Sequence, residues 1–554
     1  MEQILKMLQL TYDEENKLWK AFETPVSHKN VYIGEKIIEN LKKSPDKLLQ
    51  IFHDDEQRLY TGNFVTSIVR VAQNLINIGI KPNDVAGVVC MNSNATTIFI
   101  NACILIGVPP NPIDPLFTVD DVCNMFGQTK PKLVLCDSDV YPTVEKALKS
   151  INCRTMIYTN GKVAGSKSFD ELLTPTGMED AFVVPTFDEP IDEKIVAIVC
   201  SSGTSGPSKG VSLSNAFLLT FFDSFAYSPP ATSLTFTTTH WFSGFYSCAT
   251  TGFPHKEVRI VTNQRFSIDL LNELAVKYSV DVLFVPPTQL TEIIKSEKFA
   301  SSNHSLKSIT AGGSIVSPSV RENFKKKFPN VRLNVAYGMS ECICSIPMGE
   351  TKPTSVGNVF MPNHAFKVVD DDGNRLGVDC VGELRIKAAT KILGYYGNPK
   401  ATEDAFDEEN FFKTGDIGYF DEDCHLHIID RKKEILKYKN YQYNPSEIEA
   451  VIEMIDGVKF VSVVGFHHEA SDLATAVIVK EPGFEKTVTE DFIVKFVESK
   501  MPIYKQLHGG VMFVDELPMT PSGKILKRKV YQFTDYADHI YHIERLSTVH
   551  IQLG

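Results

Sequence analysis

One stretch of small residues carries a single cation: Ser201-Ser202-Gly203-Thr204-Ser205-Gly206-Pro207-Ser208-Lys209-Gly210, entered from the apolar run 195–200. Glycines let backbone N–H groups approach an anion closely, and the hydroxyls add donors. Lys209 supplies a mobile positive charge for phosphate oxygens. Two rival loops fail on spacing. A Walker A loop requires glycine where Ser208 stands and a hydroxyl where Gly210 stands. A hydrolase elbow requires Gly-x-Ser-x-Gly, but Gly203-Thr204-Ser205 runs into Gly206-Pro207.

Further segments follow in order: Ala336-Tyr337-Gly338-Met339-Ser340-Glu341, then Thr414-Gly415-Asp416 before a predicted strand. Next comes Arg431-Lys432-Lys433-Glu434-Ile435-Leu436-Lys437-Tyr438-Lys439-Asn440-Tyr441-Gln442, and finally Pro521-Ser522-Gly523-Lys524. Taken singly, each also suits an ordinary turn or a solvated charge run. Glu341 suits a hard cation that keeps waters and phosphate ligands. Asp416, when ionised, only accepts hydrogen bonds, as a pair of ribose hydroxyls requires. A lysine directly after a Ser-Gly turn can be carried into a site on a loop.

Together and in this order the segments resemble the adenylate-forming superfamily of acyl-CoA synthetases, 4-coumarate–CoA ligases, peptide-synthetase adenylation domains and beetle luciferases. The texture is similar to its insect branch. The resemblance spans nearly the whole chain. The family loop usually ends Gly-x-Pro-Lys-Gly; here the proline stands one place early, at Pro207, with Lys209 still in register.

The resemblance implies ATP, Mg2+ and coenzyme A as cofactors. It places Ser201, Ser202, Gly203, Thr204, Ser205, Gly206 and Lys209 on phosphate. Gly313, Ser314, Ala336, Tyr337 and Gly338 go to the nucleotide, with Tyr337 on adenine. Ser340 falls on the α-phosphate, Glu341 on the metal, and Asp416 and Arg431 on the ribose. Catalysis falls to Lys524, Lys209 and Ser340. A hinge lies near residues 430–432, and Lys433, Lys437, Lys439, Asn440 and Gln442 belong to the loop that meets coenzyme A when the small domain turns. The usual glycine there is replaced by Asn440, which tolerates positive φ.

Trp241, Phe242, Ser243, Phe245, Thr288, Gly312 and Met339 are placed by the resemblance around the acid. Residues 231–254 contain no Asp or Glu but several aromatics. A buried ammonium without a partner is costly, so an amino acid is disfavoured and an apolar acid, of fatty type, is expected. Luminous relatives carry an arginine where this chain has Phe221 and a histidine that aligns with Ser243. The expected function is therefore an AMP-forming acyl-CoA ligase. The alternatives are a luciferase-like monooxygenase and a catalytically silent nucleotide or acyl binder.

These residues need a scaffold. Short Val-rich runs at 85–91, 132–136, 195–200 and 281–285 read as buried strands, and 64–78 reads as a helix between them. The apolar segment 95–110 is too short to span a bilayer and reads as a buried helix. Strand and helix in turn imply α/β layers with largely parallel sheets. Residues 370–374, Asp-Asp-Asp-Gly-Asn, read as a hairpin turn, and the acidic stretch 187–193 as a surface lead-in.

The expected division is a large AMP-binding domain at 1–430, of layered sheets and helices, and a small mobile α+β domain at 431–554. The chain has 554 residues, 43% hydrophobic and 22% charged, with a net charge of −12, which argues against nucleic acid as a partner. Eleven scattered cysteines without a CxxC pair argue against zinc and for free thiols in a reducing compartment. The ending His550-Ile551-Gln552-Leu553-Gly554 is not Ser-Lys-Leu, so a cytoplasmic rather than peroxisomal location is expected.

Overall fold

The computed structural model describes residues 10–23, 30–201, 208–224, 231–249, 257–345, 352–358, 361–439, 441–468, 471–520 and 523–534. Two layered sheets hold the first part of the chain. The five-stranded sheet is parallel throughout and runs Pro110–Pro112, Ala86–Val89, Leu133–Asp137, Met156–Asn160, Lys167–Ser168. The eight-stranded sheet is parallel from Leu48–Phe52 across to Arg332–Met339, with an antiparallel strand at each edge. The Val-rich runs are thus the buried strands expected of them, with ends shifted by a residue or two.

Helix Thr61–Asn77 buries Phe64, Ile68, Val71, Ala72 and Leu75 on one face. It packs on Asn94–Leu105, a helix whose residues from Thr96 onward are all buried. The Ser93 hydroxyl caps that helix by accepting the Thr96 N–H, at 3.1 Å. An apolar helix of this length packed inside the domain accounts for the hydrophobic segment 95–110. Among the described residues no helix is long and apolar enough to cross a membrane.

The expectation of largely parallel sheets fails for the third sheet. Thr11–Asp13, Leu18–Lys20, Ala365–Val369, Gly382–Lys387, Phe412–Phe420 and Leu426–Arg431 form six antiparallel strands. Between residues 365 and 431 successive strands pair antiparallel with their neighbours in the chain, and the short helix Pro399–Asp404 between two of them does not carry the chain back for a parallel return. Phe412–Phe420 alternates buried and less buried positions without a break. Thr414-Gly415-Asp416 therefore lies inside this strand rather than before it. Near the start of the chain, Trp19 is fully buried and stacks on Phe420 at 4.6 Å between ring centres.

Residues from 436 onward build a separate core around Leu436, Ile448, Val463, Ala476, Ile478 and Ile493. Val458–His468 and Ser471–Lys480 form its long antiparallel pair, with Val511–Phe513 added in parallel. Pro445–Ile452 and Glu490–Lys500 cover it. Helix Lys527–Thr534 gives a place to the first residues of the tail, with Val530 buried against Val464 and Val477. The result is an α/β protein of layered sheets with a smaller α+β unit at its C-terminal end.

Candidate active site

The site begins with a carboxylate in an apolar register. Asp416 shares the inward face of its strand with Phe412 and Phe420 and is 3% exposed. A buried carboxylate persists only with partners. Arg431 lies directly opposite on the neighbouring strand, and its Nε is 2.7 Å from Asp416 Oδ1. The Tyr337 hydroxyl donates to Asp416 Oδ2 at 2.6 Å. Burial raises the Asp416 carboxyl, while Arg431 and then Tyr337 pull it back down.

Tyr337 reaches this position because strand Arg332–Met339 ends here. Its neighbour Ala336 pairs with Gly312 on the adjacent parallel strand. A Cβ on Gly312 would stand 3.1 Å from the Ala336 carbonyl oxygen, a tight contact that a small shift would have to relieve. Gly313 follows with φ of +97° and open space around it, and Ser314 is exposed. Gly313 and Tyr337 thus border an open ledge near the carboxyl ends of parallel strands, where open α/β sheets bind ligands, and Tyr337 joins it to Asp416 of the antiparallel sheet.

The glycine loop enters from Ile195–Cys200, which pairs antiparallel with Gly210–Ser214. The mouth of the loop is pinned by Ser201 N–H to the Lys209 carbonyl, 2.8 Å, and by Lys209 N–H to Ser201 Oγ, 3.0 Å. Ser202, Gly203, Thr204, Ser205 and Gly206 lie outside the described residues, as do Asn440 and the pair Pro521-Ser522. Ser340 stands beside this mouth, its hydroxyl donating to the Cys200 carbonyl at 3.1 Å.

Two groups of opposite charge meet on one ring. The Lys209 ammonium lies 4.5 Å from the centre of the Tyr395 ring, and the Tyr395 hydroxyl donates to Glu341 Oε1 at 2.8 Å. No sequence signal marked Tyr395, one of two adjacent tyrosines set between Gly394 and Gly397.

Lys524 arrives from the small unit. Thr520 and Lys524 close a turn, with Thr520 N–H on the Lys524 carbonyl at 2.7 Å and Lys524 N–H on Thr520 Oγ1 at 2.9 Å. Gly523 holds φ at +81° within it. The Thr288 hydroxyl of the large unit donates to the Gly523 carbonyl at 2.7 Å. Thr288, expected at the acid pocket, therefore docks this turn. Lys524 is half-buried, in the field of Arg431, Glu434 and Asp416. Burial first, and then Arg431, bring its ammonium down to about 8, against the pull of Glu434 and Asp416. Glu434 in turn faces Lys527 at 3.4 Å, and Lys527 reaches Glu449 at 3.0 Å. Neither partner was singled out in the sequence, where Glu434 is one charge in a run.

The remaining residues divide. Phe242 packs edge-on against Phe221 and Phe217, with centroids 5.3 and 5.8 Å apart. Phe245 is fully buried, and Trp241, Ser243 and Met339 are partly buried. The Trp241 Nε1 is buried without a hydrogen-bond partner among the described residues. Lys433, Lys437, Lys439 and Gln442 are all exposed. Lys437 and Gln442 face each other on the hairpin Leu436–Tyr438/Tyr441–Tyr443. The positive φ at its turn is seen at Lys439, +49°. Lys437 N–H and Lys439 N–H bond to Asp472 and Ser471 of the same small unit, each at 2.9 Å. This hairpin does not join the group around Asp416.

The residues also fit the groups that the resemblance implies. Among the described residues no cluster of three or more His, Cys, Asp or Glu could cage a metal. The lone Glu341 carboxylate, with one oxygen engaged by Tyr395, suits Mg2+, which prefers waters and phosphate oxygens to an all-protein cage. The open ledge at Gly313 and the acceptor Asp416 suit a nucleoside.

Comparison with known proteins places the chain in a family. The family model for the AMP-binding enzyme matches residues 38–396, and that for the AMP-binding enzyme C-terminal domain matches residues 447–524. The chain belongs to the AMP-binding enzyme family, within the adenylate-forming superfamily. It is 32% identical over 478 residues to luciferin 4-monooxygenase of Luciola mingrelica, covering 82% of this chain and 86% of that one. It is 28% identical over 549 residues to probable 4-coumarate–CoA ligase 1 of Dictyostelium discoideum, covering 91% and 96%. The crystal structure of ATP-bound MatB from Rhodopseudomonas palustris superposes with a TM-score of 0.78 at 22% identity, covering 90% and 98%.

Proposed function

We propose that this enzyme is an AMP-forming acid–thiol ligase that activates an apolar carboxylic acid, of fatty type, with ATP and passes the acyl group to coenzyme A. The observation that carries the reading is the seating of Lys524 beside the Asp416–Arg431–Tyr337 group. It puts a cation at the ledge where a nucleotide's ribose and α-phosphate would lie. The ATP-bound relative MatB shares this fold.

Activation brings one anion onto another. The acid's carboxylate oxygen attacks the α-phosphorus, the bond to pyrophosphate breaks, and an acyl-adenylate results. Fixed donors and cations must offset the repulsion. Lys524 and Lys209 supply positive charge, Ser340 a hydroxyl donor, and Asp416 holds the ribose with Arg431 behind it. Mg2+, held by Glu341, would supply charge neutralisation on the phosphates. A thiolate then attacks the acyl carbon, and AMP leaves with the bonding pair. In our reading the domains meet at residue 430, the hinge lies at residues 430–432, and a turn about it exchanges Lys524 for the Lys437–Gln442 hairpin. Lys433, Lys437, Lys439 and Asn440 then meet coenzyme A.

What supports an apolar acid is the aromatic packing around Phe221. Phe221, where luminous relatives are expected to carry arginine, is 2% exposed and packed among Phe217, Phe242 and Tyr246. An ammonium, or a second charge on the acid's tail, would lose hydration against these rings without a partner. The luciferase relative keeps light emission as a second reading. Pyrophosphate release over a panel of acids, with and without coenzyme A and with luciferin, tests all of this. Release with medium or long aliphatic acids, and thioester formation only with coenzyme A, is the expected result. Light with luciferin, or no release with any acid, would sink the reading.

A further inference from the structure

The ring of Tyr395 touches both charged residues that the triphosphate end of the site requires. Lys209 and Glu341 carry opposite charges, both contact this ring, and yet no ion pair joins them. If they met directly, each would neutralise the other. The lysine would then be weaker on phosphate, and the carboxylate weaker on a metal. Tyr395 gives each a partner that leaves its charge intact: a π face for the ammonium, and one hydroxyl for one of the two carboxylate oxygens.

The chain takes trouble to hold the ring there. Residues 394–396 run antiparallel to the strand that leaves the glycine loop, with Tyr395 bridged to Val211. Tyr396 N–H donates to the Gly210 carbonyl at 2.8 Å, and Ser212 N–H to the Gly394 carbonyl at 2.9 Å. The Tyr395 N–H donates to Thr402 Oγ1 at 2.9 Å. Gly394 has φ of +77°, and a Cβ there would stand 2.3 Å from Thr402. The tyrosine is thus stapled to the exit of the very loop whose lysine it receives.

We propose that Tyr395 is a positioning residue of the nucleotide site, a spacer that keeps Lys209 and Glu341 apart and aims them at phosphate and metal respectively. The assignment rests on the reading of Glu341 as the metal ligand. Its two arms separate by substitution: Tyr395→Phe keeps the ring and loses the hydroxyl, whereas Tyr395→Leu loses both.

The test is equilibrium binding of a fluorescent ATP analogue, with and without Mg2+, on the full chain, with unliganded melting temperature as a check on folding. Tyr395→Phe is expected to raise the Mg2+ concentration for half-maximal tightening about ten-fold, the scale of one hydrogen bond to a charged group. Metal-free affinity stays unchanged. Tyr395→Leu is expected to weaken metal-free affinity as well. In a Glu341→Gln background, Tyr395→Phe moves nothing further. An unchanged Mg2+ midpoint in Tyr395→Phe, or an equal shift in the Glu341→Gln background, overturns the proposal. If Glu341→Gln alone leaves the Mg2+ midpoint where it was, the metal reading of Glu341 falls first, and this assignment falls with it.

Discussion

The small C-terminal unit presents two lysine-bearing turns, and they stand in opposite circumstances. The Thr520–Lys524 turn is clasped by Thr288 of the large unit and sets its lysine among Arg431, Asp416 and Glu434. The Leu436–Tyr443 hairpin holds Lys437 and Lys439 exposed, tied to its own unit through Asp472 and Ser471. Each turn has a residue at positive φ, Gly523 and Lys439, so the difference is not in local backbone chemistry. It lies in what each turn docks against. One body with a docked lysine and an undocked one is what a two-step enzyme needs if the steps use the same cleft in succession.

The sharpest way to break this comparison is to remove the lysines one at a time. Lys524→Ala is expected to lower acid-dependent ATP–pyrophosphate exchange by about 10²–10³, the cost of one preorganised charge-stabilising donor. Thioester formation from preformed acyl-adenylate should survive. Lys439→Ala should do the reverse, sparing exchange and slowing the thiol step. If both variants damage both half-reactions alike, the two turns do not alternate.

Asp416 comes next in size. Asp416→Ala removes a buried acceptor and leaves Arg431 without its ion-pair partner. Hydrogen bonds to a charged group are worth about 1.5–3 kcal/mol each, so the KM for ATP should rise about 10- to 100-fold. The KM for the acid should move far less. Equal rises in both would mean collapse of the site rather than loss of a ribose contact.

The fate of Asp416 shows what the sequence could and could not tell. Its identity as an acceptor was legible from residue type and motif order. Its place inside a strand was not, because Thr-Gly-Asp reads as a turn and strand Phe412–Phe420 carries both glycines without breaking. Parallel order was legible where Val-rich runs alternate with amphipathic helices. It misled at residues 365–431, where successive strands pair antiparallel with their neighbours in the chain. Tyr395 escaped because a pair of tyrosines between glycines has no period, and its contacts are with residues 186 and 54 positions away. Thr288 was noticed, but which wall of a cleft a hydroxyl serves is decided only when two units meet.

A smaller effect separates the docked lysine from the exposed ones by titration. Burial and Arg431 hold the Lys524 ammonium at about 8. The charged form is the one that helps the exchange reaction, and it is present below that value. Exchange should therefore fall as pH rises from 7 to 9, by roughly ten-fold between the plateau and pH 9. Lys524→Arg keeps its charge throughout and should flatten that alkaline limb, whatever its absolute rate. Persistence of the limb in Lys524→Arg would place the titrating group elsewhere.

The smallest effect probes the clasp itself. Thr288 donates to the Gly523 carbonyl across the gap between the units. Thr288→Val keeps the shape and removes the bond, worth about 1 kcal/mol, or roughly five-fold in the docking equilibrium. If docking of this turn is needed for exchange and its release is needed for the thiol step, exchange should fall by up to that factor while thioester formation from acyl-adenylate holds or rises slightly. A wall of the acid pocket would respond differently: the KM for the acid would shift with chain length, and both half-reactions would shift together. Measuring the two half-reactions of Thr288→Val across two acids of different length thus decides whether this hydroxyl belongs to the clasp or to the pocket.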